Sequence, residues 1–470
     1  MKQKNTKKIR KVNQVAIQFT SKPISAWGGI ASLVAPFLEQ INFRGWVEKN
    51  IPIQESSNNG KGVYEKIIAQ FLTILSGGSR FNHLSWWGHG IEAMTKSFGL
   101  KWLPKSASTI TRFWGKVNKQ SISEKLSESC RAHAGEIIDR DGIFEDYLNL
   151  DSTVLTRFGE QDGAKIGYNP AKKGRASHHP IIAFIGSGYV VNLWNRSGNT
   201  FSGQNAAEFF EQSRLALNED FYIKGVLCDT GFYDIGFIKY LEEKCFRYIM
   251  AVPMSQTFQR QIYRIKKWRK VAEGIEVGDF YFEHLDKKWT KKRRYVVIKQ
   301  EITRRRKKVR GKQLKLFKDD DEWTEKRFSL LITNDSLTSP VEIWREYRPR
   351  ANDENVIKDL KEGYGLDSFS LKNFWATEAV MVITALVFHN LIHYLNRKVL
   401  NAHTSKEQLK TIRSKYLILP AQLGKAGRYP ILRLGVQNRK FRFKIIYLFE
   451  KIRQINWTFN CNAVEGGVQV

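Results

Sequence analysis

The chain has 470 residues, enough for roughly three domains, and 42% of them are hydrophobic, which supports real cores and excludes a wholly disordered chain. Seventy-seven Lys and Arg against 46 Asp and Glu give a formal charge of +31, which favours a polyanionic partner. Four scattered cysteines, Cys130, Cys228, Cys245 and Cys461, include no C-x-x-C pair, so neither a disulfide framework nor a thiolate zinc site is suggested.

Residues 1–14 hold six Lys or Arg and no acid; they read as a flexible arm that lies along phosphates. Lys22 and Pro23 interrupt the stretch after this arm, so no apolar signal-peptide core is expected there. Residues 25–140 read as helical. Tyr64 to Ile74 has helical apolar spacing and stops at Gly77-Gly78. After Pro104, short polar residues from Ser106 to Thr111 precede Arg112. That fits the reading helix of a helix-turn-helix, with Arg112 touching DNA, as well as it fits a capped surface helix.

From residue 145 the pattern turns to strands. Tyr147 to Leu150 runs into Asp151. Pro180 to Ile185 and Tyr189 to Trp194 flank Gly186-Ser187-Gly188, a hairpin turn. Gln204 to Leu217 reads as a helix capped by Asn199, Thr200 or Ser202. Val226 to Cys228 runs into Asp229; a helix over 233–243 and a strand over 247–252 come next. Adjacent strands and then alternating helix and strand indicate an α/β fold with a mixed sheet.

Residues 255–335 break that rhythm with strand-like stretches at 280–282, 295–298 and 328–333. Between Lys287 and Lys318 lie sixteen Lys or Arg and one acid, Glu301, a bias that favours nucleic-acid contact over self-neutralising pairs. The apolar run from Ala376 to Leu395 carries Glu378, His389 and His393, and reads as a buried helix rather than a membrane span. His389 and His393 lack the Glu of H-E-x-x-H, so a core role is expected. A basic tail closes the chain: Gly424 to Arg453 has nine Lys or Arg and one acid, Glu450.

The chemistry concentrates in three acids. Asp151 and Asp229 each end a short apolar strand, where side chains converge on ligands at the edge of an open sheet. Glu354 sits among Tyr347, Arg350 and Lys361 at steps of three, four and seven residues. At about 100° per residue, Arg350, Tyr347 and Lys361 fall near −40°, +20° and −20° from Glu354. Pro349 is placed to start that helix, leaving Tyr347 to approach from the preceding turn. Three carboxylates are hard ligands for Mg²⁺ or Mn²⁺, and two such ions serve an in-line phosphoryl displacement. Gly186-Ser187-Gly188 lacks a P-loop continuation, so no nucleotide cofactor is expected.

Tyr347, Arg350, Glu354 and Lys361 match the signature Y-x2-R-x3-E-x6-K without a gap, and the chain resembles a DDE transposase of bacterial insertion sequences. It is most similar to the thirteen-eighty group. The segment Gly167-Tyr168-Asn169-Pro170, with Lys173-Gly174-Arg175 and Ser177-His178-His179-Pro180, carries that likeness, as do Arg196 to Asn199 and Asp229 to Tyr233. The resemblance covers residues 145–400 well and the flanks more vaguely.

It implies an RNase H-like mixed-sheet core in two parts, 145–254 and 336–400. A β-rich basic insertion over 255–335 separates them. A helical N-terminal DNA-binding region, 1–144, and a basic C-terminal region, 401–470, complete the chain. The family further implies that Asp151 touches both metal ions while Asp229 and Glu354 each complete one site. Tyr347, Arg350 and Lys361 would hold phosphates. Lys173, Arg175, His178 and Arg112 are further candidate DNA contacts, with a structural role equally open for His178 and His179. The expected partners are terminal inverted repeats and target DNA, bound by a homodimer in the bacterial cytoplasm, at the nucleoid. Related enzymes pass through a DNA hairpin and stack a flipped base on an aromatic from the insertion; Trp268, Trp289 and Trp323 are candidates. A metal-dependent nuclease without strand transfer and a non-catalytic DNA-binding relic are the alternatives.

Overall fold

A computed structural model of the chain describes residues 10–12, 15–17, 22–54, 62–89, 91–284, 289, 291–305, 322–400 and 407–459. Most of the basic N-terminal arm and residues 306–318 of the basic insertion lie outside them, as does Cys461. The described residues form two units: one of 1–116, 363–365 and 395–470, the other of 117–362 and 366–394.

The first unit is largely helical, with Phe43–Asn50, Val63–Leu75 and Ala107–Trp114 among its helices. Val63–Leu75 is rich in Ile, Leu and Phe and buries nearly every side chain. The basic C-terminal segment belongs to this same unit. Its strand Ala421–Ala426 pairs with Ile24–Ser25, and Arg413 Nε donates to the Leu75 carbonyl at 2.9 Å. Its helix Arg439–Arg453 buries Ile445, Leu448 and Ile452.

The second unit is built on a nine-stranded sheet. In chain order the strands are β1 (Glu145–Ser152), β2 (Ile181–Ile185), β3 (Val190–Trp194), β4 (Tyr222–Cys228), β5 (Tyr248–Val252), β6 (Arg269–Ala272), β7 (Ile275–Phe282), β8 (Arg293–Arg305) and β9 (Glu322–Thr333). Their order across the sheet is β6-β7-β8-β9-β5-β4-β1-β2-β3. β1, β4 and β5 are mutually parallel at the centre; every other pairing is antiparallel. β2 and the first four residues of β3 are wholly buried, so the apolar run of β2, and that of β3 around the buried Asn192, fit strands covered on both faces. Gly188, at φ +103°, makes the β2–β3 turn as its sequence indicates.

Six helices complete this unit as far as it concerns the site: α1 (Gln120–Arg140), α2 (Ala206–Leu215), α3 (Ile235–Glu243), α4 (Pro340–Tyr347), α5 (Asp353–Glu362) and α6 (Phe374–Val382). The cap of α2 differs from expectation: it is Asn205, at φ +57°, a left-handed conformation that Asn tolerates. Leu227, Ile249, Val296 and Leu331 from four strands meet Ile343 of α4 in one apolar cluster. One helical stretch, Phe374–Leu400, is long and apolar enough to cross a membrane, and 94% of its most apolar window is buried. Asn390 within it donates to the Val190 carbonyl at 2.7 Å and accepts the Val190 N–H at 2.9 Å, completing the edge of β3. His389 and His393 stack beside it at 5.6 Å, inside the packing.

Candidate active site

The parallel pairing of β1 and β4 brings two acids together. Leu150 lies opposite Cys228 in that register. The next residues, Asp151 and Asp229, therefore stand side by side at the carboxyl ends of neighbouring strands, roughly 5 Å apart at the backbone. Asp151 is 8% exposed, and its Oδ1 accepts the Ser152 N–H at 2.7 Å. Asp229 caps the turn Thr230–Phe232 by accepting the Gly231 N–H at 2.9 Å. A Cβ on residue 231 would lie 2.7 Å from Ser202 Oγ, so glycine permits that turn.

Glu354 is the second residue of α5 and is exposed. An open cleft of about 520 Å³ is lined by Asp151, Asp229, Glu354, Arg350, Lys358 and Lys361. Burial pushes the Asp151 carboxyl up to about 6; Arg350 opposes the rise, and Asp229 and Glu354 add to it. Among the described residues, no three carboxylate, imidazole or thiol groups already stand together as a metal cage. The donor set nevertheless fits a hard divalent cation: three carboxylates line one cleft, and the burial and neighbouring acids that raise Asp151 are the electrostatic condition that a bound cation relieves.

The Tyr-Arg-Glu-Lys segment is not one helix. Tyr347 ends α4, Arg348–Asn352 form a 3-10 turn containing Pro349, and α5 begins only at Asp353. Proline does open a helical turn, but a tighter one, so the ideal 100° spacing does not reach back to Arg350. Three of the four side chains have their own anchors. The Tyr347 hydroxyl donates to the Cys228 carbonyl at 2.9 Å, bracing the strand end that carries Asp229; burial keeps its phenol protonated far above the usual range. Arg350 Nη2 lies 3.2 Å from Asp151 Oδ2, and its Nε lies 3.9 Å from Asp353 Oδ2. Those two buried nitrogens make no hydrogen bond. Lys361 Nζ donates to the Val154 carbonyl at 3.2 Å, and burial holds its ammonium below the usual lysine range, with Asp367 and Asp151 opposing.

Other expected contacts divide. Lys173, Arg175 and Arg112 are exposed. His178 is fully buried: its Nδ1 accepts from Arg157 Nε at 3.1 Å and its Nε2 pairs with the Asp162 carbonyl at 2.9 Å. It offers no surface to DNA, and burial lowers its pKa to about 4. His179 bridges the Thr200 carbonyl at 2.7 Å and Ser152 Oγ at 3.1 Å, tying the residue after Asp151 to a neighbouring loop. Among the tryptophans, Trp289 tilts against Tyr233 at 5.2 Å under Arg293. Trp268 packs near Phe328 with Lys299 over its ring. The Trp323 side chain lies outside the described residues.

Asp353 and Asn149 were not singled out by sequence. Asp353 is 4% exposed and accepts from Asn149 Nδ2 at 3.0 Å, so α5 is pinned to β1 two residues before Asp151. The signal was available: a lone Asn in an apolar strand needs a buried partner.

Acids gathered at the carboxyl edge of parallel strands and walled by cations mark the α/β enzymes that work on phosphate-bearing ligands. The chain belongs to the DDE transposases: the family described as Transposase DDE domain group 1 matches residues 8–455. No curated protein matches the chain. Among solved structures it is similar to a piggyBac transposase, described as a synaptic complex with hairpin DNA and seen by cryo-electron microscopy. The identity is 12% and the TM-score 0.36, over 83% of this chain and 84% of that one.

Proposed function

We propose that this transposase works by cut-and-paste, with Asp151, Asp229 and Glu354 as its catalytic acids on an RNase H-like core. It is further assigned to the thirteen-eighty group, with Tyr347, Arg350, Glu354 and Lys361 as its signature. The sheet order β3-β2-β1-β4-β5, antiparallel on one side of β1 and parallel on the other, supports that core. The observation that carries the reading is the β1–β4 register, which sets two acids side by side in a cleft shared with Glu354.

Asp151, Asp229 and Glu354 would hold Mg²⁺ or Mn²⁺, two ions in the full reaction. Bound there, the metal supplies Lewis acidity to the phosphate and a more acidic attacking hydroxyl. The chain does the rest. Arg350 lines the cleft and is ion-paired to Asp151 at 3.2 Å, which keeps a cation beside the place where phosphate oxygens would lie. Lys361 adds a second cation to the same wall. Tyr347 keeps the end of β4 in place, and His178 ties Arg157 to the Asp162 carbonyl, beside the strand that Arg175 precedes. Lys173, Arg175 and Arg112 contact DNA phosphates. Water attacks the phosphodiester at each terminal repeat and frees a 3′-hydroxyl. That hydroxyl then attacks a target phosphodiester, so one bond forms as one breaks and no ATP is required. Two copies pair the two ends.

The test is cleavage of duplexes carrying the element's own terminal repeats, with Mg²⁺. Asp151→Asn, Asp229→Asn and Glu354→Gln should each lower cutting at least a thousandfold while end binding stays within a few-fold. Cutting retained by any of the three would remove that residue from the catalytic set.

A further inference from the structure

Between Asp151 and β2 the chain leaves the main sheet and builds a separate three-stranded flap. Leu155–Thr156 and Lys165–Ile166 both pair antiparallel with the middle strand, Ala176–His178. The two outer strands therefore run the same way and end at the same edge, where the middle strand begins. Phe158 lies two residues beyond one outer strand and Tyr168 two beyond the other. Arg175 immediately precedes the middle strand. Topology thus gathers Phe158, Tyr168, Lys172, Lys173 and Arg175 at one tip.

The backbone of this flap is firmly set. Arg157 is 4% exposed and joins His178 to the Asp367 carbonyl, at 3.1 and 2.7 Å. Asn169 donates to Thr156 Oγ1 at 3.0 Å and accepts the Lys172 N–H at 3.0 Å. A Cβ on Gly167 would fall 2.0 Å from the Gly198 carbonyl, so the flap lies tight against the loop after β3. Yet Phe158 and Tyr168 are each 74% exposed. Large rings held in water on a braced support, among cations, are the pattern of a stacking platform for bases. The flap also starts at the cleft: Thr153 lines it, and the Val154 carbonyl accepts from Lys361. Phe158 lies seven positions beyond Asp151, so the tip lies within about 23 Å of the acids along an extended chain, roughly seven base pairs at about 3.4 Å each.

We propose that Phe158 and Tyr168 stack on unpaired bases of the DNA strand leaving the cleft, within about seven nucleotides of the scissile bond, while Lys172, Lys173 and Arg175 hold its phosphates. The assignment rests on the transposase reading of the cleft. It adds a base-binding site that separates strands beside the cut.

The probe is a forked duplex carrying 2-aminopurine, whose fluorescence reports stacking, either in the single-stranded arm or in the paired stem. The full-length wild type should change the arm signal and leave the stem signal nearly constant. Phe158→Ala with Tyr168→Ala should abolish the arm response and weaken fork binding about tenfold or more per ring. Phe158→Tyr with Tyr168→Phe should restore both. Lys173→Gln with Arg175→Gln should keep the arm response and lower the salt slope of binding by about two contacts' worth. Unchanged melting temperatures would show that the exposed substitutions leave the fold intact. Wild-type end cleavage with an arm signal indifferent to the double alanine overturns the flap assignment and leaves the transposase reading standing. No cleavage and no arm response from the wild type overturns both.

Discussion

Asp151 combines deep burial with three charged neighbours, and its behaviour depends on which of them is engaged. With its carboxyl raised to about 6, it is protonated below that pH and ionised above it. A proton and a divalent cation compete for the same oxygens. Mn²⁺ affinity should therefore be full above pH 7 and fall as pH drops through about 6, measured by calorimetry without DNA. Affinity flat from pH 5 to 8 would mean that Asp151 is not a ligand. Tyr347 makes a different kind of prediction. Its hydroxyl is engaged with the Cys228 carbonyl, so Tyr347→Phe should lower unfolding free energy by about 1 kcal/mol with little change in KM for DNA ends. A phosphate-binding phenol would give the reverse: raised KM and unchanged stability in urea. That Arg350, Glu354 and Lys361 share one cleft with Asp151 was legible because acid, arginine and lysine lie at fixed steps. Their partners were not, because Cys228 lies 119 positions from Tyr347 in the chain and only the folded sheet brings them together.

At the scale of elements, local chemistry announced what depends on local chemistry. The β2–β3 hairpin arises from two apolar runs around Gly186-Ser187-Gly188, and both acid-ended strands appear where their apolar runs lie. Boundaries set by competition were harder. Pro349 is compatible with both an α-helical and a 3-10 start, and the 3-10 turn is found, leaving Arg350 in ion-pair reach of Asp151. Asn205 takes the cap of α2 from three plausible upstream residues because it adopts a left-handed backbone. Asn390 shows an element edge completed by a side chain: its amide serves both backbone groups of Val190. Asn390→Leu would leave that buried donor and acceptor unmatched and should cost about 2–4 kcal/mol, read as a lower midpoint in guanidinium with m unchanged. A loss under about 0.5 kcal/mol would show that the β3 edge finds other partners.

Across the whole molecule, the pairings that define the architecture join distant residues. The strand-like stretches of 255–335 break the alternating helix–strand rhythm, yet they extend the same sheet, because β9 pairs with β5 in register from Ile249 opposite Thr333. The basic C-terminal segment reads as separate, yet Gln422 pairs with Ile24. Neither pairing leaves a local mark, since both depend on strands finding edges far along the chain. What composition did convey is the excess of +31, suited to a transposase, whose partner is DNA. Cutting alone would also be achieved by a nuclease; joining would not. Transposition is therefore distinguished from hydrolysis by supplying pre-cut terminal repeats with free 3′-hydroxyls, a supercoiled plasmid and Mg²⁺. Those ends should become covalently joined to the plasmid through their 3′-oxygens, and the joining should be lost in Asp151→Asn, Asp229→Asn and Glu354→Gln alike. Plasmid nicking without joined product would contradict the cut-and-paste reading.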